Sequence, residues 1–300
     1  MRDAVLRGLY RLFPFDLMGD CDVPPSRDGI KISCMVSFYG RLDLLSGVLF
    51  CLAEQDFPRE LFEVILVEDR GGTDEGRAIA EKFSGRLQIV YAPLDENFGH
   101  MGYSRNYGLL KSRGQYALFL DDDTIILQND FLKRLVESFK SNPQVDALIP
   151  YGAASYALIK GRYDYHDPYF MTNRCMAYKR EVLIELGGFI SDFIGQEDVE
   201  FAIRFAVAGK KAIRASRLGY MHPPLIVDSL NKAKAVGASF VKLRGRYSFS
   251  IWLIALLNGS RWAPLTLSPS LKQRMQGRFG VGFCMGIISY PFGKANEYNN

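Results

Sequence analysis

The chain has 300 residues, 48% of them hydrophobic and 23% charged, with a formal net charge of +4; this is the balance of an ordinary globular protein with one large core or two smaller ones. Its five cysteines (Cys21, Cys34, Cys51, Cys175 and Cys284) are odd in number, scattered and without metal-type spacing, which excludes a disulfide scaffold and reads as reduced packing residues in a cytoplasmic setting. The first residues lack a long apolar stretch, and Asp3 and Asp16 interrupt what is there, so no cleaved signal peptide is expected.

Residues 1–19 place Val5, Leu6, Leu9, Leu12 and Phe13 on one helical stripe, the pattern of an amphipathic arm that lies on a membrane or packs on the body. Pro24-Pro25 and Asp28-Gly29 then mark a linker. Strand and helix patterns alternate from there. Strands are expected over 31–36, 62–67, 87–91, 116–120 and 145–150, and helices over 42–54, 74–83, 101–112 and 129–140. This alternation predicts an α/β fold built on a doubly wound, mostly parallel sheet. Ligands of such sheets bind at the carboxyl ends of the strands.

Charge is divided unevenly along the chain. The first 228 residues carry 27 basic against 32 acidic side chains, whereas 229–293 hold nine Lys/Arg and no Asp or Glu. An acidic body with a basic tail suggests two jobs, and a division into an arm and linker (1–29), a main domain (30–228) and a C-terminal helical, basic-apolar extension (229–300). Two apolar runs in the extension, 247–257 and 280–292, are shorter than the about 20 apolar residues of a membrane-spanning helix. With basic neighbours and with Trp252 and Trp262, they suit peripheral contact with an anionic leaflet, the alternatives being packing on the body or a homo-oligomer interface. The aromatics sit in apolar runs, away from the basic residues of a polar face, so no nucleic-acid partner is expected.

Asp121-Asp122-Asp123 ends the apolar run 116–120. Adjacent carboxylates repel and raise one another's pKa, so they need compensation. Either the cluster is a solvated turn, or it holds a hard divalent cation, which prefers carboxylate oxygens and leaves room for a phosphate. Asp69, after the strand at 62–67, is a second acidic strand end; it could accept the imide N–H of a uracil-like base, while Thr73 or Asp74 caps the next helix. The loop Ser37-Phe38-Tyr39-Gly40-Arg41 is not a Gly-rich phosphate loop, though it is placed to pack against a nucleotide. Asn97-Phe98-Gly99 offers close backbone approach to a ligand, and Arg105 either steadies phosphates or pairs with an acid. A second acidic centre, Glu197-Asp198, opens a helix after Gly187-Gly188-Phe189; N-terminal charge complementarity alone would account for it. Glu200 and Arg204, four apart, are expected to form a surface pair. His222 reads as a structural histidine, a metal ligand or a phosphate contact.

Taken in order, Ile32–Arg41, Val64–Asp74, Asn97–Asn106, Asp121–Asp123, Gly187–Phe189 and Glu197-Asp198 resemble the family 2 glycosyltransferases of the GT-A fold, over about residues 30–225. The opening Ser37-Phe38-Tyr39-Gly40 and the turn Glu68-Asp69-Arg70-Gly71 depart from that family's usual Pro-Thr-Tyr-Asn and Asp-Asp-Gly-Ser. The resemblance implies inverting transfer from a nucleoside diphosphate sugar, UDP-linked by the reading of Asp69, to a glycan or lipid-linked acceptor. It implies Asp198 as general base with Glu197 positioning the acceptor. Ser37, Tyr39, Arg41, Asp69, Asn97, Gly99, Arg105, Asp121 and Asp122 would meet the donor, and Asp121, Asp123 and His222 would hold Mn²⁺ or Mg²⁺. The competing expectations are a sugar-phosphate nucleotidyltransferase and a non-catalytic sugar-nucleotide- or glycan-binding protein. The expected location is the cytoplasm, at the membrane face.

Overall fold

A computed structural model describes residues 2–27, 29–154, 168–169, 171–222 and 230–290. Asp28 of the linker, Pro223-Pro224, the boundary expected at 228 and the last two residues of the 280–292 run lie outside the described residues.

After α1 (Arg2–Leu12), the chain runs through β1 (Ile32–Phe38), α2 (Leu42–Ala53), β2 (Phe62–Glu68), α3 (Asp74–Ser84) and β3 (Ile89–Pro93). It continues through α4 (Met101–Lys111), β4 (Tyr116–Asp121), β5 (Ile125–Ile126), α5 (Phe131–Ser141) and β6 (Ala147–Ala154). Then come β7 (Cys175–Lys179), α6 (Arg180–Glu185), α7 (Glu197–Val207) and β8 (Ala212–His222), followed by α8 (Leu230–Lys242), α9 (Phe249–Ser260) and α10 (Leu271–Ser289). The strands form one sheet in the order β3-β2-β1-β4-β7-β6-β8-β5. β1 pairs in parallel with β2 and β4, and β2 with β3. β7 is antiparallel to both β4 and β6, so β6 again points the way of β4, as does its parallel neighbour β8. The expected parallel sheet is thus interrupted by one reversed strand in the middle and edged by the reversed β5.

All seven residues of β2 are buried, as a strand covered on both faces must be. Alternate side chains divide between two cores. Cys34, Val36, Val64, Leu66, Leu118 and Leu120 face α2, α3 and α5. Met35, Ile65, Val67, Ala117 and Phe119 face α4, α6 and α7. Phe119 meets Phe189 edge-on at 5.2 Å between ring centroids, so the Gly-Gly-Phe segment is anchored under β4. Truncating such a buried ring costs about 3–5 kcal/mol.

Local chemistry settles the turn into α3. Thr73, not Asp74, caps α3: its Oγ1 accepts from the Gly76 N–H at 2.9 Å. Glu68 is fully buried beside this cap, where it accepts from the Thr73 N–H at 3.1 Å and from the Thr73 and Tyr91 hydroxyls.

The arm packs on the body. Leu6 and Leu9 of α1 join Phe15, Val207 and Ile251 in a small cluster, while Val5, Leu12 and Phe13 from the same expected stripe stay exposed. Glu200 and Arg204 overturn the expected surface pair. Both are buried, and Arg204 also donates to the carbonyls of Leu17, Leu186 and Gly188. The pair therefore ties the arm and the Gly-Gly-Phe turn to α7. The extension docks on the same place: the Tyr247 hydroxyl donates to Glu200. Val236, Phe240, Leu256 and Phe283 cover Ile190 and Phe193 of the body. No helix among the described residues is long and apolar enough to cross a membrane.

Candidate active site

The parallel strands deliver their carboxyl ends to one rim. β4 ends at Asp121, β1 at Phe38, β2 at Glu68 and β8 at His222. One ligand atom from each of Asp121, Asp123 and His222 lies within 4.8 Å of the others. The His222 Nε2 is 3.0 Å from Asp123 Oδ1 and 3.5 Å from Asp121 Oδ2. Asp123 Oδ1 is buried and receives no well-directed hydrogen bond from the described residues, despite the nearby imidazole. A buried carboxylate oxygen left in this condition beside a second carboxylate and an imidazole fits a hard divalent cation.

Three cationic side chains ring the acidic cluster. Arg41 takes a left-handed backbone conformation (φ 45°) at the start of α2. It donates to Asp123 Oδ2 at 2.9 Å and to Asp122. Burial pushes the Asp122 carboxyl up to about 7 against the pull of Arg41. Burial also opposes ionisation of Asp121, but the adjacent His222 and the Arg105 charge outweigh it and hold Asp121 well below the usual carboxylate range. His222 responds in the opposite sense: burial lowers its proton affinity, the two aspartates more than offset that, and its pKa rises to about 9.

The second acidic centre lies beside the first. Arg105, on α4 and 5% exposed, donates through Nε to Glu197 Oε1 at 2.7 Å and through a terminal nitrogen to Asp121 Oδ1 at 3.0 Å. One guanidinium therefore separates the carboxylate that ends β4 from the one that opens α7. Burial pushes Glu197 up to about 7, opposed by Arg105 and reinforced by Asp198. Asp198, the next residue, is half-buried; its Oδ1 accepts from the Val199 N–H at 2.8 Å and its Oδ2 from the Asn173 N–H at 3.3 Å.

Of the two readings of Arg105, the structure shows the pairing with acids: it bridges the two centres. Glu197 is 3% exposed and engaged by Arg105, so its carboxylate is directed at Arg105 and away from solvent.

A separate hydrogen-bond network orders the first-loop side of the site. Both oxygens of Asp69 lie 3.0 Å from the Gly99 N–H. Asn97 has φ 52°, which turns the chain toward α4. Ser104 Oγ donates to Ser37 Oγ at 2.8 Å, and Arg70 lies 4.8 Å over the exposed Tyr39 ring. Asn106 clasps the Gly-Gly-Phe turn from both sides: its Nδ2 donates to Phe189 O and its Oδ1 accepts from the Phe189 N–H, each at 2.8 Å. A Cβ on Gly188 would sit 2.7 Å from that Oδ1, and one on Gly102 would sit 2.0 Å from Ile190 O. The motif at 97–106 and the motif at 187–198 are therefore one packed unit.

Asn173 is a candidate that sequence reasoning passed over. It is fully buried, its backbone supports Asp198, and its Nδ2 has no hydrogen-bond partner among the described residues. No spacing or charge pattern marks it in the chain.

Comparison with known proteins places this architecture. The family model described as "Glycosyl transferase family 2" matches residues 33–190, more than half the chain. The chain belongs to glycosyltransferase family 2. A 97-residue stretch is 36% identical to the poly(ribitol-phosphate) beta-N-acetylglucosaminyltransferase TarS of Staphylococcus aureus, covering 32% of this chain and 17% of TarS. The chain thus spans under a fifth of that relative's length. The O-antigen chain rhamnosyltransferase RfbN of Salmonella typhimurium is 28% identical over 205 residues, 61% of this chain and 63% of RfbN.

Among solved structures, residues 1–349 of Staphylococcus aureus TarS in complex with UDP-GlcNAc superpose with a TM-score of 0.59 at 18% identity, over 90% of this chain and 93% of that one. The mannosyltransferase PcManGT of Pyrobaculum calidifontis, in complex with GDP-Man and Mn²⁺, gives 0.60 at 17% identity, over 98% and 96%. At these identities the likeness is one of fold: this family 2 chain has the GT-A architecture expected from its motifs.

Proposed function

We propose that this family 2 protein is an enzyme that transfers a sugar from a nucleoside diphosphate donor to an acceptor hydroxyl with inversion at the anomeric carbon. The observation that carries the reading is the Arg105 bridge, which sets the Asp121 and Glu197-Asp198 centres side by side at the carboxyl rim of the sheet. A UDP-linked donor suits Asp69 as acceptor of an imide N–H, with Tyr39, Ser37, Asn97 and Gly99 forming the nucleotide side. A glycan or lipid-linked acceptor enters from the side of Asp198. Relatives named for poly(ribitol-phosphate) and O-antigen chain glycosylation make a polymer chain the favoured acceptor class.

Asp121, Asp123 and His222 are the residues that would hold Mn²⁺ or Mg²⁺; such a cation, when bound, supplies Lewis-acid neutralisation of diphosphate charge. The chain's own groups do the rest. Asp198 takes the proton of the acceptor hydroxyl as that oxygen forms its bond to the anomeric carbon. The bond from that carbon to the diphosphate oxygen breaks on the opposite face, and the nucleoside diphosphate leaves with the electron pair. General-base assistance of this kind contributes about 10²–10⁴ in rate. A single displacement needs one base, so no second nucleophilic carboxylate is required. Arg105 fixes the relation between the two centres, and Arg41 holds Asp122 and Asp123 in place.

The C-terminal helices are the part of the chain assigned to contact with the cytoplasmic membrane face, where lipid-linked acceptors would be met. The function is tested by following nucleotide release from a panel of nucleotide sugars with and without Mn²⁺. Metal-dependent release from one donor, accelerated by acceptor, supports the reading. No release and no donor-dependent thermal shift with any nucleotide sugar contradicts it.

A further inference from the structure

α9 is apolar around its whole circumference: Phe-Ser-Ile-Trp-Leu-Ile-Ala-Leu-Leu before its closing Asn-Gly-Ser. Helices of that kind are normally enclosed on all sides. Here only one side is enclosed. Ile251 and Leu256 are buried, with Trp252 and Ala255 packed beside them, whereas Phe249, Leu253, Ile254 and Leu257 are exposed. At 100° per residue these four span one continuous arc of the helix. The chain leaves α9 through Arg261 and Trp262 into the 3₁₀ turn Ala263–Leu267, where Trp262 is 41% and Leu267 90% exposed.

Within the extension that carries this face, the charge is of one sign. Residues 229–293 contain nine Lys/Arg and no acid. Two of these cations border the face directly: Arg244 lies 5.4 Å over the Phe249 ring, and Arg261 lies 4.5 Å over Trp262. A second copy docking about a twofold axis would bring basic against basic. An anionic bilayer satisfies both features, since it accepts the apolar side chains and attracts the cations.

We infer that the outer face of α9, with Trp262 and Leu267, is a membrane-docking surface that inserts shallowly into an anionic leaflet. The inner face of α9 meets α8 and α10 and so stays with the protein. The inference rests on the membrane contact proposed above for the C-terminal helices and names its surface; it is independent of the glycosyl-transfer chemistry, because it rests on residues away from the carboxyl rim.

The test is co-sedimentation of the full chain with vesicles of phosphatidylcholine alone and of phosphatidylcholine with phosphatidylglycerol at 3:1. The expected result is binding to the anionic vesicles, weakened by 0.5 M NaCl. Binding should fall about tenfold or more in a Leu253→Ser/Leu257→Ser variant and in an Arg244→Glu/Arg261→Glu variant. Nucleotide-sugar binding and melting temperature, measured without lipid, serve as the folding control. Leu267→Ser, a change at a 90% exposed site, is the second variant should the helix changes unfold the extension, and its binding should fall as well. No binding to anionic vesicles, equal binding by wild type and all variants, or a dimer in gel filtration that the α9 variants dissolve would overturn the proposal.

Discussion

Arg105 Nε meets Glu197 Oε1 at 2.7 Å, across 92 positions of sequence, while the same guanidinium holds Asp121. Both carboxylates and the guanidinium are removed from most solvent, so their geometry is costly to break. The contact turns two acidic strand-end and helix-start motifs into the two walls of one site. It also explains why Arg105 stays with its acids: desolvation opposes its charge, and Glu197 and Asp121 more than compensate.

The base assignment predicts the consequence of Asp198→Asn. Turnover should fall by about 10²–10⁴, with the donor dissociation constant unchanged within a few-fold. Steady-state kinetics and calorimetric titration with nucleotide sugar check the two halves separately.

The cation assignment predicts that Asp123→Ala and His222→Ala abolish the Mn²⁺-dependent part of nucleotide binding. Wild type at 100 times its dissociation constant should gain about 2.7 kcal/mol of stability from the nucleotide with metal. The variants should gain little, and adding Mn²⁺ should make no difference to them in a thermal-shift measurement.

Glu197 yields a pH prediction. Burial raises its pKa from the ordinary 4.5 of a glutamate to about 7. Between these values the unfolded state has lost the proton and the folded state keeps it. Folding stability from this group is therefore fully present below about 4.5 and is lost as pH rises through about 7. Glu197→Gln keeps an acceptor for Arg105 but cannot titrate, so its melting temperature should fall less steeply than wild type between pH 5 and 8. Parallel slopes in the two proteins would count against the assignment.

Glu200→Ala should destabilise the fold by about 3–5 kcal/mol, because it strands the fully buried Arg204. Denaturant unfolding measures this. Arg134→Ala, which breaks the half-exposed pair to Asp130, should cost about 1 kcal/mol or less.

Much of this arrangement was legible in the chain, for definite reasons. β1, β2 and β4 are short, predominantly apolar runs bounded by polar turns, so both their positions and their buried, parallel character follow from pattern. The acidic ends of β2 and β4 fall at the rim because strands in such sheets present their carboxyl ends to the ligand crevice. What pattern could not reveal was long-range pairing. Cys-Met-Ala-Tyr-Lys of β7 has no alternation and no turn signal that would announce a reversed central strand. Glu200 and Arg204 have the spacing of a surface pair, and the arm, the Gly-Gly-Phe turn and Tyr247 closing over them make the pair internal. Arg105 had acidic partners among its expectations, but local spacing could not say that they would come from both centres at once. Asn173 carries no local signal, since its contact with Asp198 spans 25 positions of sequence.

The most direct measurement is a crystal structure of the Asp198→Asn variant with Mn²⁺ and its nucleotide sugar. The account predicts the ion on Asp121, Asp123 and His222, and the residue-198 carboxamide on the opposite face of the sugar from the diphosphate. Between that carboxamide and the anomeric carbon there should be space for one hydroxyl, about 3 Å from each. A sugar lying away from residue 198, or an ion bound without the 121–123 carboxylates, would contradict it.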